Sequence, residues 1–153
     1  MPDSVEEGTI VGMTEHIDFL QLRDFAVSTA TRAAELVAAR RAELVAGDGI
    51  AAHTSTKSSD VDPVTEVDTA TEEFIATTIR TQRPGDGIFG EEGANVESTS
   101  GVTWIVDPID GTVNFLYGVP DFAVSIGAEY QGRLVAGAVV NVARGRTYAA
   151  AAG

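Results

Sequence analysis

An apolar run that ends in two carboxylates, Trp104-Ile105-Val106-Asp107-Pro108-Ile109-Asp110, and passes at once into Gly111-Thr112 constrains this chain more than any other stretch. The run reads as a buried strand. Pro108 cannot continue a ladder and fixes its own φ, so the chain is expected to turn there, with Asp107 at the strand's end and Asp110 just past it. A turn with three-residue spacing lets both side chains point to one spot, where they repel each other unless a cation lies between them. The chain has no Cys, and His16 and His53 lie far away in sequence. An all-oxygen ligand set suits Mg²⁺, Mn²⁺ or Ca²⁺ rather than zinc or copper. The competing reading is a plain turn, since Asp, Pro and Gly are ordinary turn residues. Gly111 permits close backbone approach, and N–H groups at the start of a helix or turn bind anions. Thr112 adds a hydroxyl that can orient a water or a phosphate oxygen, or simply cap a helix.

Two further acidic clusters lie upstream. Gly90-Glu91-Glu92-Gly93 follows Ile88-Phe89, again a short strand delivering acids at its C-terminal end. Adjacent Glu residues are more often a solvated face, so this signal is weak alone. Lys57-Ser58-Ser59-Asp60-Val61-Asp62-Pro63-Val64-Thr65-Glu66-Val67-Asp68 reads as a polar loop entering a helix capped by Thr65, with Asp68 three residues on. That is nearly a capping box, and Asp68 could be only a first-turn acid favoured by the helix dipole.

The rest of the chain reads as one domain without repeats. A long helix is expected from about Thr14 to Val45, with Phe19, Leu22, Phe25, Ala26, Ala33, Leu36, Val37 and Leu44 on its apolar stripe and Gly47-Asp48-Gly49 stopping it. A loop with room for one short strand runs to Val64. A second helix is expected over Glu66 to Gln82, with Val67, Phe74, Ile75, Thr78 and Ile79 inward, ended by Pro84-Gly85. Gly93 to Gly101 reads as a polar, mobile loop. Strands follow over Phe122 to Tyr130 and Arg133 to Asn141, joined at Gln131-Gly132, with another after Arg144-Gly145 through Thr147 and Tyr148. Phe115 and Tyr117 are expected to pack behind the acidic site. Helix, helix, then antiparallel strands is the order of an α+β layered domain.

A chain of 153 residues with 44% hydrophobic content can bury one core. Its net charge of −13 argues against nucleic acid or an anionic membrane as partner. The same charge fits a phosphorylated substrate only if several acids hold divalent ions, which reverse the local sign. No long apolar run stands near the N-terminus, so neither a signal peptide nor a membrane span is expected, and a cytoplasmic location follows. The absence of Cys excludes disulfides and thiol catalysis.

The pattern W-x-V-D-P-x-D-G-T-x-N-F at Trp104 to Phe115, with G-E-E at Gly90 to Glu92 and V-T-x-x-D at Val64 to Asp68, resembles the signature of the inositol monophosphatase family, the magnesium-dependent, lithium-sensitive sugar phosphatases. The resemblance covers nearly the whole chain from the first helix onward. It implies paired helices on a large, mostly antiparallel sheet, the first half of the sugar-phosphatase fold. It implies hydrolysis of a phosphate monoester, with inositol monophosphate as the family's name substrate and fructose bisphosphate, histidinol phosphate or adenosine bisphosphate as those of relatives. Two or three Mg²⁺ ions, with Mn²⁺ as a substitute, would be held by Glu91, Asp107, Asp110 and the Ile109 carbonyl and would activate a bound water. Glu91 and Thr112 would position that water, Asp68 would hydrogen-bond Thr112, and Asp110, Gly111 and Thr112 would hold the substrate's phosphate end. Glu92 would line the outer metal region, and Lys57 would sit on a loop closing over the site. The complete protein would be a homo-oligomer, in the simplest case a dimer.

Two other readings carry different chemistry. Haloacid-dehalogenase phosphatases place D-x-D-G-T after an apolar strand and form an aspartyl-phosphate; the D-P-I-D-G-T here is one residue longer. A bacterial member of the inositol monophosphatase family assists ribosomal RNA transcription through protein contacts, a non-catalytic role. The chain also departs from the family: no W-D pair occurs in it, whereas that motif and the sugar-selecting residues belong to the family's second half. Residues 1–153 are therefore expected to be an N-terminal α+β domain without its C-terminal α/β domain, with little activity and marginal stability alone.

Overall fold

The protein is described by a computed structural model over residues 16–47 and 63–153. Helix α1 spans Phe19–Ala46. It begins five residues later than the periodicity suggests because Asp18 caps it: the carboxylate accepts from the backbone N–H of Leu20 at 2.9 Å and of Gln21 at 3.4 Å. Gly47 closes it with an N–H to Glu43 O at 3.0 Å. Its buried stripe is Leu22, Ala26, Ala30, Ala33 and Val37, mostly alanine, which lets the helix axis approach the sheet.

Helix α2 spans Pro63–Gln82. Pro63 occupies the first turn, where its missing N–H costs nothing. Thr65 therefore lies inside the helix and does not cap it, and Asp68 lies beyond the first turn and is buried. Val64, Val67, Ile75, Ala76 and Ile79 face the core, while Phe74 and Thr78 are only half-buried.

The strands are β1 (Gly87–Gly90), β2 (Asn95–Val96), β3 (Val102–Asp110), β4 (Ala123–Tyr130), β5 (Arg133–Asn141) and β6 (Arg146–Ala151), with a short helix α3 (Thr112–Tyr117) after β3. They form one sheet in the order β2-β1-β3-β4-β5-β6. Every neighbouring pair is antiparallel except β1 and β3, which run parallel. Helix α1 lies over β4, β5 and β6, and α2 over β3 and β1, so both helices cover one face of the sheet. Trp104, Ile126, Val124 and Val102 of β3 and β4 are fully buried in that core.

The segment Gly93 to Gly101 is tied down rather than loose. It contains β2, which pairs with β1. Thr99 and Ser100 both donate their N–H to Gly85 O at 2.9 Å, and the Ser100 hydroxyl donates to Asp86 at 2.7 Å. Strand β3 likewise runs on through Pro108 to Asp110, where a turn at Pro108 was expected. The ladder survives because Pro108 falls in a bulge, between the pairs Asp107↔Ser125 and Asp110↔Ala123. The turn comes at Gly111, whose φ of 88° is left-handed. A Cβ there would lie 2.8 Å from Asp121 O, so only glycine fits.

Candidate active site

The bulge explains how one strand presents two carboxylates together. In an unbroken strand, residues three apart point to opposite faces. Here three steps along β3 match two steps along β4, and the extra residue restores the phase. Ser125 and Ala123, the partners of Asp107 and Asp110, share one face of β4, so the two acids share one face of β3.

Parallel pairing then supplies a third acid. Strands β1 and β3 pair from Gly87↔Thr103 to Gly90↔Val106, and both deliver their next residues to the same end of the sheet. The Glu91 N–H donates to Val106 O at 3.2 Å, which sets Glu91 beside Asp107. The fourth acid, Asp68, comes from the N-terminal part of α2.

The electrostatics follow from this arrangement. The Asp107 carboxyl is pushed up from its ordinary 3.8 to about 7, first by burial, then by the Glu91 carboxyl within hydrogen-bonding reach, and then by the charges of Glu91, Asp110 and Asp68. One of its oxygens, Oδ1, is buried without a hydrogen-bond partner. An orphaned carboxylate oxygen among three other acids suits a hard cation, which would supply the missing partner. Among the described residues, however, no group of three or more His, Cys, Asp or Glu side chains is placed to hold a metal ion. Asp107 and Glu91 lie within hydrogen-bonding reach of each other, so a cation held between them would replace their mutual repulsion with attraction.

Beside the acids, the Thr112 hydroxyl donates to Ile109 O at 3.1 Å. Its lone pairs stay available to accept. Gly111 and Thr112 open α3, where the first N–H groups have no partner within the helix. Glu92 is exposed; partial desolvation and the charges of Glu72 and Glu91 raise its pKa. Lys57 and Asp62 lie outside the described residues. Behind the site, Phe115 is buried edge-on to Phe122 at 5.4 Å, and its carbonyl accepts from Arg41 Nε at 3.0 Å. Tyr117 is exposed instead, because two residues along a helix turn it to the far side from Phe115.

Two buried acids escaped the sequence reading. Asp86 accepts the Trp104 indole N–H at 2.8 Å and pairs with Arg83. Glu72 accepts from the backbone of Glu92 and Ala94. The available signal was the spacing of Glu72 four residues after Asp68, which puts both on one face of α2.

Comparison with known proteins follows the same lines. The model of the inositol monophosphatase family matches residues 18–153. Inositol-1-monophosphatase SuhB of Mycobacterium tuberculosis is 51% identical over 142 residues, which is 87% of this chain and 49% of that protein. The solved structure of Mycobacterium tuberculosis SuhB superposes with a TM-score of 0.72 at 45% identity, over 89% of this chain and 46% of that one. A structure described as inositol monophosphate-bound SaIMPase-II gives a TM-score of 0.65 at 34% identity, over 88% of this chain and 45% of that one. The chain thus spans about half the length of the relatives it matches.

Proposed function

Because the chain belongs to the inositol monophosphatase family, we propose that Glu91, Asp107 and Asp110 form the metal-holding part of a phosphate-monoester hydrolase site, with inositol monophosphate as the first substrate to test. Residues 1–153 make up one α+β unit, equivalent to the N-terminal half of the relatives. The observation that carries the proposal is the half-buried Asp107 carboxyl, which feels the charges of Glu91, Asp110 and Asp68 and has one buried oxygen, Oδ1, without a hydrogen-bond partner.

Mg²⁺ or Mn²⁺ at these carboxylates would lower the pKa of a bound water and stabilise charge on the phosphate and leaving oxygens. The chain's own residues do the positioning. Glu91 accepts one proton of the attacking water, and Thr112, which donates to Ile109 O, accepts the other. The Gly111 and Thr112 N–H groups at the start of α3 receive phosphate oxygens. Asp68 sets the charge on the inner side of the cluster. The inositol monophosphate named in the SaIMPase-II structure supports the choice of substrate.

Calorimetry with Mn²⁺ and Mg²⁺ tests the site on the chain itself. Binding is expected, and Asp107→Asn is expected to abolish it. Unchanged binding in that variant, or a phosphate-release activity that persists in EDTA, would overturn the proposal.

A further inference from the structure

Glu72 sits in the middle of α2 and is 3% exposed. Its two carboxylate oxygens are both engaged by the turn that links β1 to β2. Oε1 accepts from the Glu92 N–H at 2.9 Å, and Oε2 accepts from the Ala94 N–H at 3.0 Å. The turn is further closed by Gly90 N–H to Ala94 O at 2.9 Å. A Cβ on Gly90 would lie 2.4 Å from Glu72 Oε1. The glycine that opens the Gly-Glu-Glu run is therefore set by the carboxylate packed against it, quite apart from backbone freedom.

A buried carboxylate is costly, and this one adds negative charge beside acids that already repel each other. Glu72 is one of the charges that raise the pKa of Glu92. For holding a turn alone, a neutral side chain would serve with less repulsion. An ionised carboxylate differs in accepting two N–H groups at once, through short charge-assisted bonds in fixed directions. Those two N–H groups lie one and three residues beyond Glu91, whose own N–H is fixed to Val106 O. The Glu91 backbone is thus clamped from β3 on one side and from α2 on the other.

We infer that Glu72 is a positioning residue for the metal site: through the backbone of Glu92 and Ala94 it aims the Glu91 carboxylate at Asp107. This rests on the proposed role of Glu91 as a metal-holding group. Partners that orient metal-holding side chains typically change affinity by about 10–100-fold when removed.

Glu72→Gln keeps the shape but replaces one accepting oxygen with an amide N–H₂, so one of the two clamps is lost. Mn²⁺ affinity, followed by the EPR signal of free Mn²⁺ well below the unfolding midpoint, is expected to weaken about 10–100-fold, with the circular dichroism spectrum unchanged. A role confined to stability would lower the unfolding midpoint and leave the affinity alone. A second measurement needs no variant: in the wild-type chain, Mn²⁺ is expected to slow hydrogen exchange at the Glu92 and Ala94 amides. If Glu72→Gln does not fold, unchanged exchange at those two amides on adding Mn²⁺ overturns the inference. Mn²⁺ binding that survives Glu72→Gln but is lost in Glu91→Gln overturns this inference alone. No Mn²⁺ binding by the wild-type chain overturns the site reading and this inference with it.

Discussion

At Asp107, the proposed metal-holding role and the stability of the metal-free fold pull in opposite directions. Partial burial, then Glu91, Asp110 and Asp68, push its carboxyl up from the ordinary 3.8 to about 7 in the folded chain. The folded state therefore binds more protons than the unfolded state between those values. The stability linked to this group is complete below about pH 3.8 and is lost as the pH rises through about 7. Glu92, also raised, acts in the same direction. In EDTA the urea midpoint of the wild-type chain is expected to fall between about pH 5 and about pH 8. Asp107→Asn, which cannot ionise, is expected to show a smaller fall while losing Mn²⁺ binding. Equal falls in the two proteins would remove Asp107 as the source. A residue whose replacement stabilises the metal-free chain at high pH but disables the site has the signature of a functional rather than a structural acid.

At the scale of elements, β3 does two jobs, and the second depends on the first. Its inner residues anchor it: the Trp104 indole N–H donates to Asp86 at 2.8 Å, and Phe25 of α1 packs on the ring at 5.0 Å. Asp86 also pairs with Arg83 and accepts from Ser100. That anchor holds the strand in the register that sets the bulge between Asp107 and Asp110. Asp86→Ala leaves a buried indole N–H and a partly buried guanidinium without their acceptor. It is expected to cost roughly 3 kcal/mol in urea unfolding, since an unsatisfied buried donor costs about 1–3 kcal/mol and a broken buried pair about 3–5. A change under about 1 kcal/mol, within the range of ordinary surface substitutions, would show that the anchor lies elsewhere.

On the scale of the molecule, the helices cover one face of the sheet, and the other carries the exposed Ile105, Val139 and Tyr148. Among the described residues no helix is long and apolar enough to cross a membrane. The acids of the site gather at one end of β1 and β3, and the chain spans about half the length of its relatives. A phosphate monoester needs both its attacking and leaving oxygens stabilised. Losing even one such contact costs about 10²–10³ in rate. The 153-residue chain is therefore expected to release phosphate from inositol monophosphate at least about a thousandfold more slowly than Mycobacterium tuberculosis SuhB under the same Mg²⁺ conditions. A rate within tenfold would show that these residues suffice.

The sequence alone determined what is local. Periodicity and punctuation placed the two helices and the main strands, because amphipathic spacing and Gly or Pro act over a few residues. Identity and spacing pointed to Asp107, Asp110, Gly111 and Thr112, the resemblance added Glu91, and the run from Trp104 to Phe115 carried the family. The ends of elements were less legible. Asp18 and Pro63 each moved a helix start, because one cap outweighs several residues of weak periodicity. Only the tertiary structure decided that β1 and β3 lie parallel and adjacent, which brings Glu91 to Asp107. It alone decided that the extra residue at Pro108 is absorbed as a bulge and not a turn, since that depends on the partner strand's register. Glu72 and Asp86 look like surface acids in the sequence. Burial depends on which elements pack together, and a one-dimensional pattern does not carry that.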